Sequence, residues 1–117
     1  MNQAGVEFLA GTDTGDAYTV PGFELHKELE MLVEAGMTPR QALRAATTEP
    51  AKYFRKQDSM GAVRPGYNAD IVLLTANPLE DIRNTRKIAG VVVNGKYLSK
   101  AELARMLSEA AARAATR

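Results

Sequence analysis

The sequence contains no cysteine and no tryptophan, and it has one histidine among 117 residues. Without cysteine there are no disulfides and no thiolate metal ligands. No charge of one sign dominates: the net charge is +1, which gives no electrostatic case for nucleic acid or an anionic membrane. The longest apolar runs fall well below the roughly 18 residues of a membrane span. The N-terminal Met1-Asn2-Gln3-Ala4-Gly5 has neither the basic start nor the long apolar stretch of a signal peptide. A soluble, cytoplasmic protein is the expectation. Its length suits one domain or a piece of one. Hydrophobic residues make up 45% of it, so a core is possible, though so short a polypeptide buries only about two-thirds of its unfolded surface.

What is present is led by Gly11-Thr12-Asp13-Thr14-Gly15, directly after the apolar run Val6-Glu7-Phe8-Leu9-Ala10. The run reads as a strand buried on both faces, because it is continuous rather than alternating. It releases an acidic residue into a glycine-bounded loop, which extends to Pro21-Gly22. Barrel and open α/β proteins hold catalytic carboxylates at the carboxyl end of a strand in this way. Such a strand needs neighbours, and the nearest strand-like segments lie fifty or more residues on.

Residues 24–35 read as a helix, with Leu25, Leu29, Leu32 and Val33 on one stripe. Gly36 is its left-handed stop, and Met37 makes the accompanying contact. Thr38-Pro39-Arg40-Gln41 opens a second helix by a capping box with proline in the first turn. That helix runs to about Thr47, and Pro50 starts a third. Met60-Gly61-Ala62-Val63 reads as a short strand and Pro65-Gly66 as a turn. Asp70–Leu74 and Ile88–Val93 read as strands. Asn94-Gly95 links the latter to Lys96-Tyr97-Leu98 as a type I′ hairpin turn. Ser99 and Glu102 form a capping box for a last helix, with Leu103, Met106, Leu107, Ala110 and Ala114 on one side.

Several segments, in this order and spacing, carry a resemblance. They are Leu9-Ala10-Gly11-Thr12-Asp13, Leu25-His26-Lys27-Glu28-Leu29, Glu34-Ala35-Gly36-Met37-Thr38-Pro39, Ala42-Leu43-Arg44-Ala45-Ala46-Thr47, Gly61-Ala62-Val63-Arg64-Pro65-Gly66, Ala69-Asp70-Ile71-Val72-Leu73-Leu74, Asn77-Pro78-Leu79 and Val91-Val92-Val93-Asn94-Gly95-Lys96. Together they resemble the C-terminal third of metal-dependent amidohydrolases of the imidazolonepropionase and Xaa-Pro dipeptidase type. The resemblance implies a mixed α/β fold: the last βα unit of a (β/α)8 barrel in residues 1–55, part of the flanking small β-sandwich in 56–98, and a C-terminal helix in 99–117. It implies that Asp13 binds a divalent metal, zinc by the family's habit, and takes a proton from metal-bound water. The family's other ligands are an HxH pair, a lysine or carboxylate, and two further histidines. They are not in this sequence, whose lone histidine, His26, matches none of those positions. The protein is therefore expected to be inactive in isolation. Its partners would be the rest of the barrel or a second copy of itself, with a small amide or peptide as the parent's substrate.

Plainer readings stand beside these. Asp13 fits an Asx-turn. His26, near the start of the first helix, is the substrate-binding candidate, but a packing or hydrogen-bonding role also suits it. Asp16 reads as a solvated carboxylate and Asp70 as a structural turn residue. Arg83, Arg86 and Lys87 read as a solvated basic cluster. Asp13-Thr14-Gly15 also spells the aspartic-protease triplet, whose paired aspartates share a proton. That fold is nearly all β, whereas helical pattern covers roughly half of this sequence. A non-catalytic assembly module that self-associates through unpaired apolar strands is the reading from another class.

Overall fold

The Leu25-Leu29-Leu32-Val33 stripe does form a helix, α1 (Glu24–Glu34). Gly36, at φ 101°, ends it. The Gly36 N–H donates to the Val33 carbonyl and the Met37 N–H to the Leu32 carbonyl, the paired bonds of a Schellman stop. Thr38 then caps α2 (Pro39–Ala45) with both bonds of the capping box in place. A short α3 (Thr48–Tyr53) follows. These elements come from a computed structural model, which describes residues 6–15 and 22–115. Asp16, Pro21 and Met1–Gly5 lie outside the described residues.

Leu29 of α1, Ala42 of α2 and Ile82 are buried together, with Leu32, Val33, Leu43 and Ala46 packed against them. Ile82 arrives on an element that the sequence does not announce, a 3-10 turn (Ile82–Arg86). Asp81 caps it by accepting the Arg83 N–H at 2.9 Å. Leu25, the first residue of the stripe, stays 41% exposed because nothing among the described residues covers it.

The second half is a three-stranded antiparallel sheet in the order β1 (Ile71–Leu74), β2 (Ile88–Val93), β3 (Lys96–Ser99). Ile71 lies opposite Val92, and the register slips between Leu73 and Leu74. Val93 lies opposite Lys96 across the tight turn. Asn94 at φ 49° and Gly95 at φ 78° supply the two positive angles that a type I′ turn requires. Ser99 and Glu102 cap α4 (Lys100–Ala115) reciprocally, with the Ser99 N–H to Glu102 Oε2 at 2.7 Å and the Glu102 N–H to Ser99 Oγ at 3.3 Å. No helix among the described residues is long and apolar enough to cross a membrane.

Two expected strands are not formed. Residues 6–10 run without strand pairing. A backbone hydrogen bond from the Ala10 N–H to the Ala45 carbonyl, at 2.9 Å, ties them to the helices. A strand exists only with partners, and the three strands of this sheet satisfy one another elsewhere. Met60–Val63 is instead a bend packed onto α3. Gly61 adopts φ 88°, and a Cβ there would stand 2.7 Å from Ala51 Cβ and 2.9 Å from the Thr47 carbonyl oxygen. Extended backbone at that point would lose this close approach.

The core is thin for the protein's length. The Cα radius of gyration is 15.6 Å, against about 13 Å for a compact domain of this size. Val6, Phe23, Tyr53, Phe54, Val63, Val72, Leu73, Val93 and Leu107 are all exposed, a larger apolar display than isolated surface residues account for.

Candidate functional site

Asp13 sits at the exposed tip of residues 11–15. Its φ of 47° is the left-handed conformation that aspartate, with its short polar side chain, adopts more readily than most residues. Thr12 and Thr14 hydrogen-bond to each other through their hydroxyls. The loop is anchored from behind at two points. The Ala10 N–H meets the C-terminal residue of α2, and the Gly11 N–H donates to Glu28 Oε1 on α1 at 3.3 Å. An ion pair of Glu7 with Lys52 at 3.6 Å adds a third, outer tie. Asp13 is thus placed by the end of one helix and the middle of another.

His26, half-buried in the first turn of α1, points elsewhere. Its Nδ1 lies 3.1 Å from Thr85 Oγ1, and that hydroxyl donates to the Ile82 carbonyl at 2.9 Å. With its proton so committed, Thr85 accepts, which places the imidazole proton on Nδ1 and leaves Nε2 as the acceptor. Burial lowers the His26 pKa from its ordinary value; Arg86 adds to the effect and Glu30 opposes it. His26 is therefore neutral at pH 7. The hydrogen bonds of the two sites run apart: Glu28 holds the Asp13 loop, whereas His26 is tied to the 3-10 turn, and positions two apart on a helix face different ways. The packing and hydrogen-bonding role read for His26 is present, in its contact with Thr85.

The strongest charge constellation was not legible in the sequence. Glu49, 7% exposed, accepts from Arg44 Nη2 at 2.7 Å and Nε at 3.1 Å, and from Lys52 Nζ at 2.9 Å. The Lys52 and Arg44 hydrogen bonds hold its carboxyl below the usual range. Its role is structural: it locks α2 to α3, and Lys52 passes the tie on to Glu7. Arg83, Arg86 and Lys87 are exposed, as a solvated cluster requires, but two of them are also paired. Arg83 makes a forked pair with Asp81, and Arg86 reaches Glu30 at 2.7 Å, joining the 3-10 turn to α1. Spacing within the sequence could have suggested Asp81 with Arg83, but not the long-range pair.

A cavity of about 400 Å³ lies between α1 and the 3-10 turn, lined in part by Glu30, Val33, Glu34, Ile82 and Arg83. It contains neither Asp13 nor His26; of its charged lining, Glu30 is paired with Arg86 and Arg83 with Asp81. Among the described residues no group of three or more histidine, aspartate or glutamate side chains is arranged to hold a metal ion. Zinc takes three or four protein ligands. The described residues do not fit a metal by themselves.

The family model for the amidohydrolase family matches residues 1–98, the loop of Asp13 and all of the sheet but its last residue, Ser99, included. The chain belongs to the amidohydrolase family. It is 42% identical over 83 residues to ochratoxinase from Aspergillus niger, covering 69% of this chain and 16% of that protein. A solved Xaa-Pro dipeptidase with methionine bound in its active site superimposes with a TM-score of 0.76 at 33% identity, over 84% of this chain and 23% of that one. A putative prolidase from Bifidobacterium longum gives a TM-score of 0.75 at 35% identity, over 93% of this chain and 28% of that one. The chain thus spans between 16% and 28% of the length of these amidohydrolase relatives. Four helices and a three-stranded sheet among the described residues, within this family, leave the aspartic-protease triplet at Asp13 as a coincidence of spelling.

Proposed function

We propose that this chain forms the C-terminal part of an amidohydrolase that hydrolyses a C–N bond of an amide, peptide or cyclic amide with a metal-activated water. In this reading residues 1–55 close the barrel, 56–98 contribute to its small β-sandwich, and 99–117 are an appended helix. The observation that carries it is the placement of Asp13: one carboxylate, at an exposed loop tip, inside a family match that runs through both halves of the protein. Asp13 is the catalytic and metal-binding contribution of these residues, with zinc as the metal. The other ligands come from polypeptide outside the 117 residues. His26 serves substrate through Nε2, the nitrogen that Thr85 does not engage. The relatives, a dipeptidase and a prolidase among them, favour a small amide or peptide substrate, and the cytoplasm is its compartment.

The 117 residues alone are then inactive. The test is zinc-supplemented hydrolysis of a panel of Xaa-Pro and other dipeptides, by this protein alone and co-expressed with the barrel portion of a related amidohydrolase. Activity only in the co-expressed sample, abolished by Asp13→Ala, is the expected result. Dipeptide hydrolysis by the isolated protein above its Asp13→Ala control would overturn it. The exposed apolar side chains favour a second reading, a non-catalytic module that self-associates. Light scattering on a dilute sample separates the two: a stable monomer argues against it.

A further inference from the structure

Asn94-Gly95 carries chemistry that the hydrolase reading does not use. It is the single Asn-Gly pair in the sequence, and both residues are exposed. A glycine after asparagine lets the backbone nitrogen approach the preceding amide carbon, because no Cβ obstructs it. In this turn that nitrogen is occupied. The Gly95 N–H donates to the Ala69 carbonyl at 3.0 Å. The Asn94 N–H donates to Asp70 Oδ1 at 2.7 Å. The two residues that lead into β1 thus clasp both amides of the β2–β3 turn.

We propose that Asn94 is a site of spontaneous deamidation whose rate is set by the Ala69–Asp70 clasp. The Gly95 nitrogen gives its proton to hydroxide and attacks Asn94 Cγ. A new bond from that nitrogen to Cγ closes a succinimide, the bond between Cγ and Nδ2 breaks, and the amide leaves as ammonia. Water then opens the ring at either carbonyl, which leaves aspartate or isoaspartate at position 94. Water and hydroxide are the only reagents. The clasp opposes the first step, since a nitrogen bonded to Ala69 must leave that bond to deprotonate and swing toward Cγ. The product undoes the clasp in turn. A carboxylate at position 94 stands beside Asp70, and like charges repel. Isoaspartate also inserts a methylene into the backbone. A two-residue type I′ turn accommodates that only by giving up the register of β2 and β3. The modification is one-way, and it loosens the hairpin whose closure had held it back.

The test incubates the 117-residue protein at mildly alkaline pH and follows position 94 by peptide mapping and isoaspartyl methyltransferase labelling. The folded protein is expected to react roughly tenfold more slowly than the same protein in urea, the scale of one hydrogen bond. Asp70→Ala moves toward the urea rate. Asp70→Asn, which keeps an oxygen acceptor, stays near the parent. Equal rates in the folded and urea samples overturn the proposal, as does a folded Asp70→Ala variant that reacts at the parent rate. Should Asp70→Ala lose its fold, the parent decides. Across a urea series below its unfolding midpoint, Gly95 amide exchange and Asn94 deamidation must rise together; exchange that rises without deamidation refutes the clasp.

Discussion

Replacing Gly61 with alanine puts a methyl group where α3 already stands. Two costs arise there and can be separated. The first is conformational: Gly61 has φ 88°, and an L-residue in the left-handed region costs about 1–2 kcal/mol. The second is steric. The new Cβ would lie 2.7 Å from Ala51 Cβ and 2.9 Å from the Thr47 carbonyl oxygen. Neither atom is the end of a flexible side chain. Overpacking of that kind costs about 1–3 kcal/mol. Gly66 supplies the control: its φ is 83°, and nothing stands within 4 Å of a Cβ built on it. Gly61→Ala should therefore lose about 2–5 kcal/mol and Gly66→Ala about 1–2 kcal/mol. Small domains are stable by only about 5–15 kcal/mol, so the first loss is a large fraction of the whole. For a protein of this length each kcal/mol moves Tm by about 4 °C. Thermal unfolding followed by circular dichroism should show a fall of roughly 10 °C or more for Gly61→Ala and about half that for Gly66→Ala. Equal falls would refute the packing of the 60–63 bend on α3.

Two further outcomes follow from the same interior. Leu29→Ala empties the centre of the Leu29-Ala42-Ile82 cluster and should cost about 2–4 kcal/mol in urea unfolding; a loss under about 1 kcal/mol would mean that the cluster is not the core. The folded His26 pKa lies below its unfolded value, so in the window between the two the unfolded state binds the proton more readily. Stability should decline as pH falls from about 7 through the folded pKa, and His26→Asn, which cannot titrate, should flatten that limb; an unchanged slope would place the pH dependence elsewhere.

Local chemistry was legible in the sequence wherever a few neighbouring residues decide the outcome. The Gly36 stop, the Thr38 and Ser99 capping boxes and the Asn94-Gly95 turn all follow from residues close together in the sequence. Asp13 was legible as a carboxylate on a loop for the same reason. What failed depends on distant partners. Val6–Ala10 has the composition of a buried strand, but composition does not supply neighbours. Met60–Val63 looked extended because its contact with Ala51 lies in another element. The 3-10 turn brings Ile82 into the core and Thr85 to His26, and nothing periodic marks it. The Arg86–Glu30 pair spans 56 positions. The His26–Thr85 contact spans 59.

The last helix has a practical use. It begins at a fixed cap on the end of β3, and every described residue from Ala104 onward is exposed. Its 16 residues reach about 24 Å. A fluorophore or affinity tag placed near Ala112 would ride at the end of a stiff arm whose base is set by the sheet. On the proposed reading, distances measured from such a probe would report how further barrel polypeptide lies around these residues, without disturbing Asp13 or the packing beneath the helix.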